Sequence, residues 1–190
     1  MESSRRSTGR RRIFSEMSSP FDAVHRSGPE VFSLDTNVFD ALAESDEVLD
    51  TACWACDAGL VAFEVTHVQE EQLSNIPADE QEKAGRIARV PRTVVPTAGF
   101  MLGVSVLGGA ALDDSDAVDR VRRDSSDEGT WRDALIASTA ARDRRVMVTD
   151  DALLAKRATA IGIEVWSCAE LVEHLKGLAS VPGSRPAQAP

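Results

Sequence analysis

Between Val31 and Lys176 the chain alternates repeatedly between short apolar runs and longer amphipathic stretches, and this leaves few folds open to it. The apolar runs are Val31–Leu34, Leu60–Val65, Thr93–Val95, Val146–Val148 and Ile163–Trp166. Helical patterns stand between them: Val38–Asp57 with a break expected near Ser45, a helix opened by Thr66, and Ala78–Arg89. Trp131–Arg142, Ala152–Ala160 and Ala169–Lys176 follow. Strand–helix alternation builds βαβ units, so the expectation is a mostly parallel α/β sheet with helices on both faces.

Local chemistry supports these limits. Thr66 followed three residues later by Gln69 is a capping-box signature. Pro91 and Pro96 bound the third strand. The apolar, glycine-rich stretch Gly99–Asp114 has no clear period, and Asp116–Arg123 reads as a short charged helix. Residues 1–29, rich in Arg and Ser, and residues 179–190, rich in Pro and Ala, lack periodicity and are expected to be disordered tails. One folded domain is expected over 30–178.

The formal net charge is −10, and the N-terminal tail with Arg5, Arg6, Arg10, Arg11 and Arg12 leaves the remainder more acidic still. A general polyanion-binding surface is therefore excluded, and any phosphate must be held locally by a few arginines or a bound cation. Aromatic residues make up 5% of the chain, with no tyrosine, which argues against stacking nucleic-acid bases on rings. Lys83, Lys156 and Lys176 are the only lysines. Three cysteines point to a reducing compartment. Cys53 and Cys56 are spaced as C-x-x-C, but within a helical pattern and without a second pair, so they read as two small buried residues. No apolar run approaches the ~20 residues needed to span a bilayer. No membrane association and a cytoplasmic location are expected.

The acidic residues fall at informative places. In open parallel sheets, ligands collect outside the carboxyl ends of the strands. Asp35 follows the first strand, and Asp150 and Asp151 follow the fourth. Glu70 and Glu71 lie early in the helix after the second strand, and Asp133 lies near the start of the helix after Thr130. Such carboxylates repel one another unless a cation sits among them. Hard divalent cations prefer oxygen ligands, and a pair of them can stabilise both the attacking and leaving oxygens of phosphodiester hydrolysis. Taken singly, each acid also has a plainer use. Asp35 and Asp150 or Asp151 suit helix N-caps, and Thr130-x-x-Asp133 suits a capping box.

The pattern resembles the PIN-domain family over about residues 31–176. Leu34-Asp35-Thr36-Asn37-Val38-Phe39 looks like its opening motif, and Asp133-Ala134-Leu135-Ile136-Ala137-Ser138-Thr139-Ala140 like its third acidic motif. Val148-Thr149-Asp150-Asp151 is similar to the fourth. The resemblance implies a three-layer α/β/α Rossmann-like fold with a parallel sheet of four or five strands. It also implies Mg²⁺- or Mn²⁺-dependent endoribonuclease activity that leaves a 3′-hydroxyl and a 5′-phosphate.

Under that resemblance Asp35, Glu71, Asp133 and Asp151 are the catalytic and metal-holding set, with Thr36, Asn37 and Thr149 supporting it. The second acid admits three registers, Glu70, Glu71 or Gln72, of which Glu71 is preferred, and Asp151 is preferred to Asp150. Arg120, Arg122, Arg123 and Arg132 suit either an RNA backbone grip or a solvated helix face. Many members of the family are toxins of toxin–antitoxin pairs and homodimers are frequent, so the partners implied are an RNA substrate, an antitoxin protein and a second copy of the chain. A haloacid-dehalogenase-type phosphotransferase also starts with Asp after a first strand, but it needs an Asp where this chain has Asn37. The competing reading from another class is a PIN-like RNA-binding or protein-interaction module without strong catalysis.

Overall fold

The computed structural model describes residues 28–99, 110 and 128–181. Strand β1 (Glu30–Leu34) leads into α1 (Thr36–Ala43) and α2 (Asp46–Asp57). Strand β2 (Val61–Thr66) is followed by α3 (His67–Ser74), a 3₁₀ turn (Ala78–Glu80), α4 (Gln81–Arg89) and β3 (Thr93–Val95). Helix α5 (Glu128–Arg142) precedes β4 (Val146–Val148), α6 (Ala152–Ala160), β5 (Val165–Trp166) and α7 (Cys168–Ala179). The break expected at Ser45 is real: its side chain accepts from the Val48 amide at 3.3 Å and caps α2, which separates it from α1.

The sheet has five strands in the order β3-β2-β1-β4-β5, every pair parallel. From the central β1 the chain builds outward through β2 to β3, then crosses back to add β4 and β5 on the other side. The order reverses between β1 and β4, and a crevice opens at the carboxyl ends of two such strands. The β1–β4 register pairs Leu34 with Val148, so Asp35 and Thr149 emerge side by side at that point.

Successive strand residues face opposite sides, and the core divides accordingly. Phe32, Leu34, Phe63, Val65 and Val148 pack with Leu42 of α1, Leu49 of α2 and Leu171 and Leu175 of α7. Met147 faces the other way, against Ala134, Ile136 and Ala137 of α5, Leu154 and Ala158 of α6, and Ile163. Helices therefore cover both faces of a parallel sheet, the three-layer arrangement expected.

Several boundaries differ from those expected. Helix α5 is described from Glu128 rather than Trp131, so Thr130 lies within it rather than before it. Strand β5 is reduced to Val165–Trp166, with Ile163 packed into the α5–α6 core just before it. Helix α7 runs to Ala179, one residue past the expected domain end. The tail assignments over 1–27 and 182–190, the charged helix at 116–123 and most of the glycine-rich stretch lie outside the described residues.

Phe32 is wholly buried, with ring centroids 6.4 Å from Phe63 and 5.3 Å from Trp166. Phe32→Ala is expected to lower unfolding stability by about 3–5 kcal/mol. Urea titration followed by tryptophan fluorescence, with Trp166 beside the change, measures it.

Candidate functional site

Asp35 ends β1 and is 7% exposed. Its amide donates to the Val148 carbonyl at 2.9 Å, which extends the β1–β4 ladder by one residue and fixes where the carboxylate begins. Oδ1 accepts from the Thr36 amide at 2.7 Å and so caps α1. Oδ2 accepts from the Thr149 hydroxyl at 2.7 Å and from Asn37 Nδ2 at 3.0 Å. Burial pushes the Asp35 carboxyl above its ordinary value of 3.8, and the charge of Asp151 pushes the same way; the bonds from Thr149 and Thr36 pull it down without cancelling the rise. A raised carboxyl is one whose ionised form costs the folded state stability, and a nearby cation relieves that cost.

Thr149 joins the two strand-end acids. Its hydroxyl oxygen accepts from the Asp151 amide at 3.0 Å while its hydrogen goes to Asp35. The adjacent aspartates then separate. Asp151 Oδ1 accepts from the Leu153 and Leu154 amides at 2.7 and 3.0 Å, capping α6. Asp150 turns away, its Oδ1 accepting from the Cys168 amide at 2.9 Å at the start of α7. Asp133 comes in from α5, and its Oδ2 lies 3.4 Å from Arg157 Nη1 on α6.

These groups meet at one pocket of about 470 Å³, lined by Asp35, Thr36, Asn37, Gln72, Arg132, Asp133, Ile136 and Asp151. Three of the four acids expected at the site thus share a pocket at the carboxyl edge of the sheet. Glu71 does not join them. It is exposed, and the residue that α3 turns into the pocket is Gln72. The reason is helical phase. Gln69 is wholly buried, its Oε1 accepting from the Thr66 amide at 2.7 Å and its Nε2 donating to the Leu34 carbonyl. With Gln69 pinned inward, the residue one turn on along the same face is Gln72, while Glu71 is rotated about 100° from it.

Glu70, the other register weighed, has a different duty. Its two oxygens hold Arg92 Nε at 2.7 Å and Nη2 at 3.0 Å. The same guanidinium lies 5.3 Å from the Phe39 ring centroid and donates to the Ile87 carbonyl at 3.2 Å. Arg92 therefore staples α3 to α1 and the end of α4. Its charge and hydrogen bonds hold the Glu70 carboxyl below its ordinary 4.5.

With this geometry in place, the solved structures are informative. The chain is similar to the protein PAE2754 from Pyrobaculum aerophilum, with a TM-score of 0.50, 17% identity, and 78% of this chain and 98% of that one covered. It aligns more loosely with the PIN domain endonuclease Utp24, at TM-score 0.44 and 15% identity, covering 73% and 85% of the two chains. The likeness to PAE2754 is one of fold alone. No family model matches the chain, and no curated protein matches it by sequence.

The donor set suits a hard divalent ion in kind, being carboxylate oxygens with amide and hydroxyl support. Among the described residues, however, no three acids, histidines or cysteines gather tightly enough to close a protein ligand shell. Mg²⁺ commonly binds through one or two carboxylates and keeps several waters, so the pocket fits such a partly hydrated ion better than a protein-caged pair. Arg157 was not anticipated from the sequence. Its signal was the neighbouring apolar pair Leu154 and Ala158, which turns that side of α6 toward α5. A second hollow, between α1 and α4, is lined mostly by charged residues; Lys83 there pairs with Asp40 and Glu80 at 3.0 and 3.3 Å.

The two glutamates of α3 should separate in a stability measurement. Glu70→Gln is expected to cost about 1 kcal/mol at pH 7, allowing for solvent screening of a part-exposed pair. Glu71→Gln should change stability by no more than about 0.5 kcal/mol. Because the folded Glu70 carboxyl is lowered, its contribution is complete above 4.5 and fades as pH falls through its folded value. Denaturant titrations at neutral and acid pH should show the Glu70→Gln deficit shrinking on acidification.

Proposed function

We propose that the protein is a divalent-cation-dependent endoribonuclease, working through Asp35, Asp133 and Asp151 with Gln72 as a neutral fourth member. The observation that carries this reading is the convergence of three aspartates, from β1, α5 and the end of β4, on one polar pocket at the switch point of the sheet. The polymer is taken to be RNA, and the ion Mg²⁺ or Mn²⁺, from the resemblance of the acidic motifs. An ion bound there would supply the charge that stabilises the pentavalent phosphorus and activates water.

The chain's own residues have separate tasks. Thr149 and Asn37 hold Asp35 with its carboxylate aimed by two bonds to Oδ2, and such supporting contacts typically change metal affinity or activity 10–100-fold. Asp151 is held in the pocket lining by its cap on α6, and Asp133 joins it from α5. Arg132, also in the lining, would take a non-bridging phosphate oxygen. Gln72 offers an amide oxygen where a carboxylate would add charge, which weakens ion binding.

A second reading has its own support. Gln72 in the pocket and the Arg157–Asp133 pair both reduce the negative charge available to an ion. They favour a PIN-like module that binds RNA or a protein partner with little cleavage.

Mn²⁺-dependent cleavage of labelled single-stranded RNA tests both readings. Asp35→Asn and Asp133→Asn should each lower the rate by about 100-fold or more, the loss expected when several kcal/mol of charge stabilisation goes. Gln72→Glu should tighten Mn²⁺ binding by about tenfold, since affinity follows ligand charge count. Equal rates for wild type and Asp35→Asn would overturn the nuclease reading. RNA binding without cleavage, even in Gln72→Glu, would establish the binding module instead.

A further inference from the structure

Arg157 reaches the candidate centre from outside the expected acidic set. It sits on the inward flank of α6, beside Ala158 and one turn after Leu154, both buried against Ala134 and Ala137 of α5. That packing fixes the base of the side chain, and the guanidinium lies 3.4 Å from Asp133 Oδ2, with the side chains 18% and 28% exposed. At this distance the pair is longer than the ~2.7–2.9 Å of a tight charge-assisted hydrogen bond, though partly shielded from water. It therefore offsets part of the Asp133 charge.

Three carboxylates around one pocket repel one another. A positive group on the third aspartate lowers the energy of the cluster. It also weakens the attraction that the same cluster exerts on an incoming dication. A dication prevails over a single guanidinium only by displacing it or by sharing the carboxylate.

We propose that Arg157 is a built-in counter-cation of Asp133, which competes with divalent ions for that carboxylate and sets the ion concentration at which the centre fills. This rests on the reading of the pocket as an ion-dependent centre. Arg157 acts through Asp133 and is a positioning residue in that sense. The Cβ–guanidinium reach and the α5–α6 packing make the competition intramolecular, so it is present at every protein concentration.

Calorimetric titration of the full chain with Mn²⁺, without RNA, tests the competition independently of activity. Arg157→Gln should bind Mn²⁺ about tenfold more tightly than wild type, as expected for removing one positive charge from a part-screened site. Arg157→Lys, which keeps the charge, should stay within about threefold of wild type. In an Asp133→Asn background, Arg157→Gln should make little difference, because the pair's coupling is gone. Thermal melts of each variant establish that it is folded. Unchanged or weaker Mn²⁺ binding by folded Arg157→Gln would overturn the competition and leave the nuclease reading standing. Absence of Mn²⁺ binding by wild type and Arg157→Gln alike would overturn that reading, and the competition with it.

Discussion

The pairing of Leu34 with Val148 is the constraint on which the rest of the centre depends. Parallel strands one residue out of register would move every side chain to the opposite face. In this register the Asp35 amide continues the ladder to Val148, and Asp35 and Thr149 leave the sheet together. One hydroxyl then links the acid after β1 to the backbone of the acid after β4. The buried amide of Gln69 adds α3 to the same point by bonding the Leu34 carbonyl. Two elements, β4 and α3, are thus indexed to the last residue of β1, and the pocket inherits their alignment.

The chain's acidity and its proposed substrate are compatible only through local sign reversal. With a net charge of −10, long-range attraction of a polyanion is absent, and at physiological salt charges more than about 8 Å apart are largely screened. What a phosphate would meet is a pocket where Arg132 lines the wall and Arg157 stands at Asp133. Capture of nucleic acid would then depend on short-range contacts and on a bound cation rather than on a basic surface.

Much of this architecture was legible in the sequence because it is written in periodicity and caps. The strand positions, the break at Ser45, the Thr66–Gln69 pair and the two acids Asp35 and Asp151 at strand ends are all local signals. Helical phase was not. Glu70, Glu71 and Gln72 are consecutive polar residues, and only the burial of Gln69 against Leu34, a contact between residues far apart in sequence, decides which of them faces the pocket. Arg157 escaped for the same reason, since its relation to Asp133 exists only after α6 has packed on α5. The Thr130 cap failed differently: Thr130 lies within a helix described from Glu128, earlier than the apolar pattern shows.

The dual use of two aspartates bears on how such a site can change over generations. Asp35 and Asp151 each hold the first turn of a helix, so folding alone would select for them even in a lineage that no longer cut anything. Gln72 meets the C-cap of its helix only through its backbone carbonyl, so its side chain is under no such obligation. Drift away from catalysis would therefore leave its earliest mark at position 72, with the strand-end aspartates among the last residues to change.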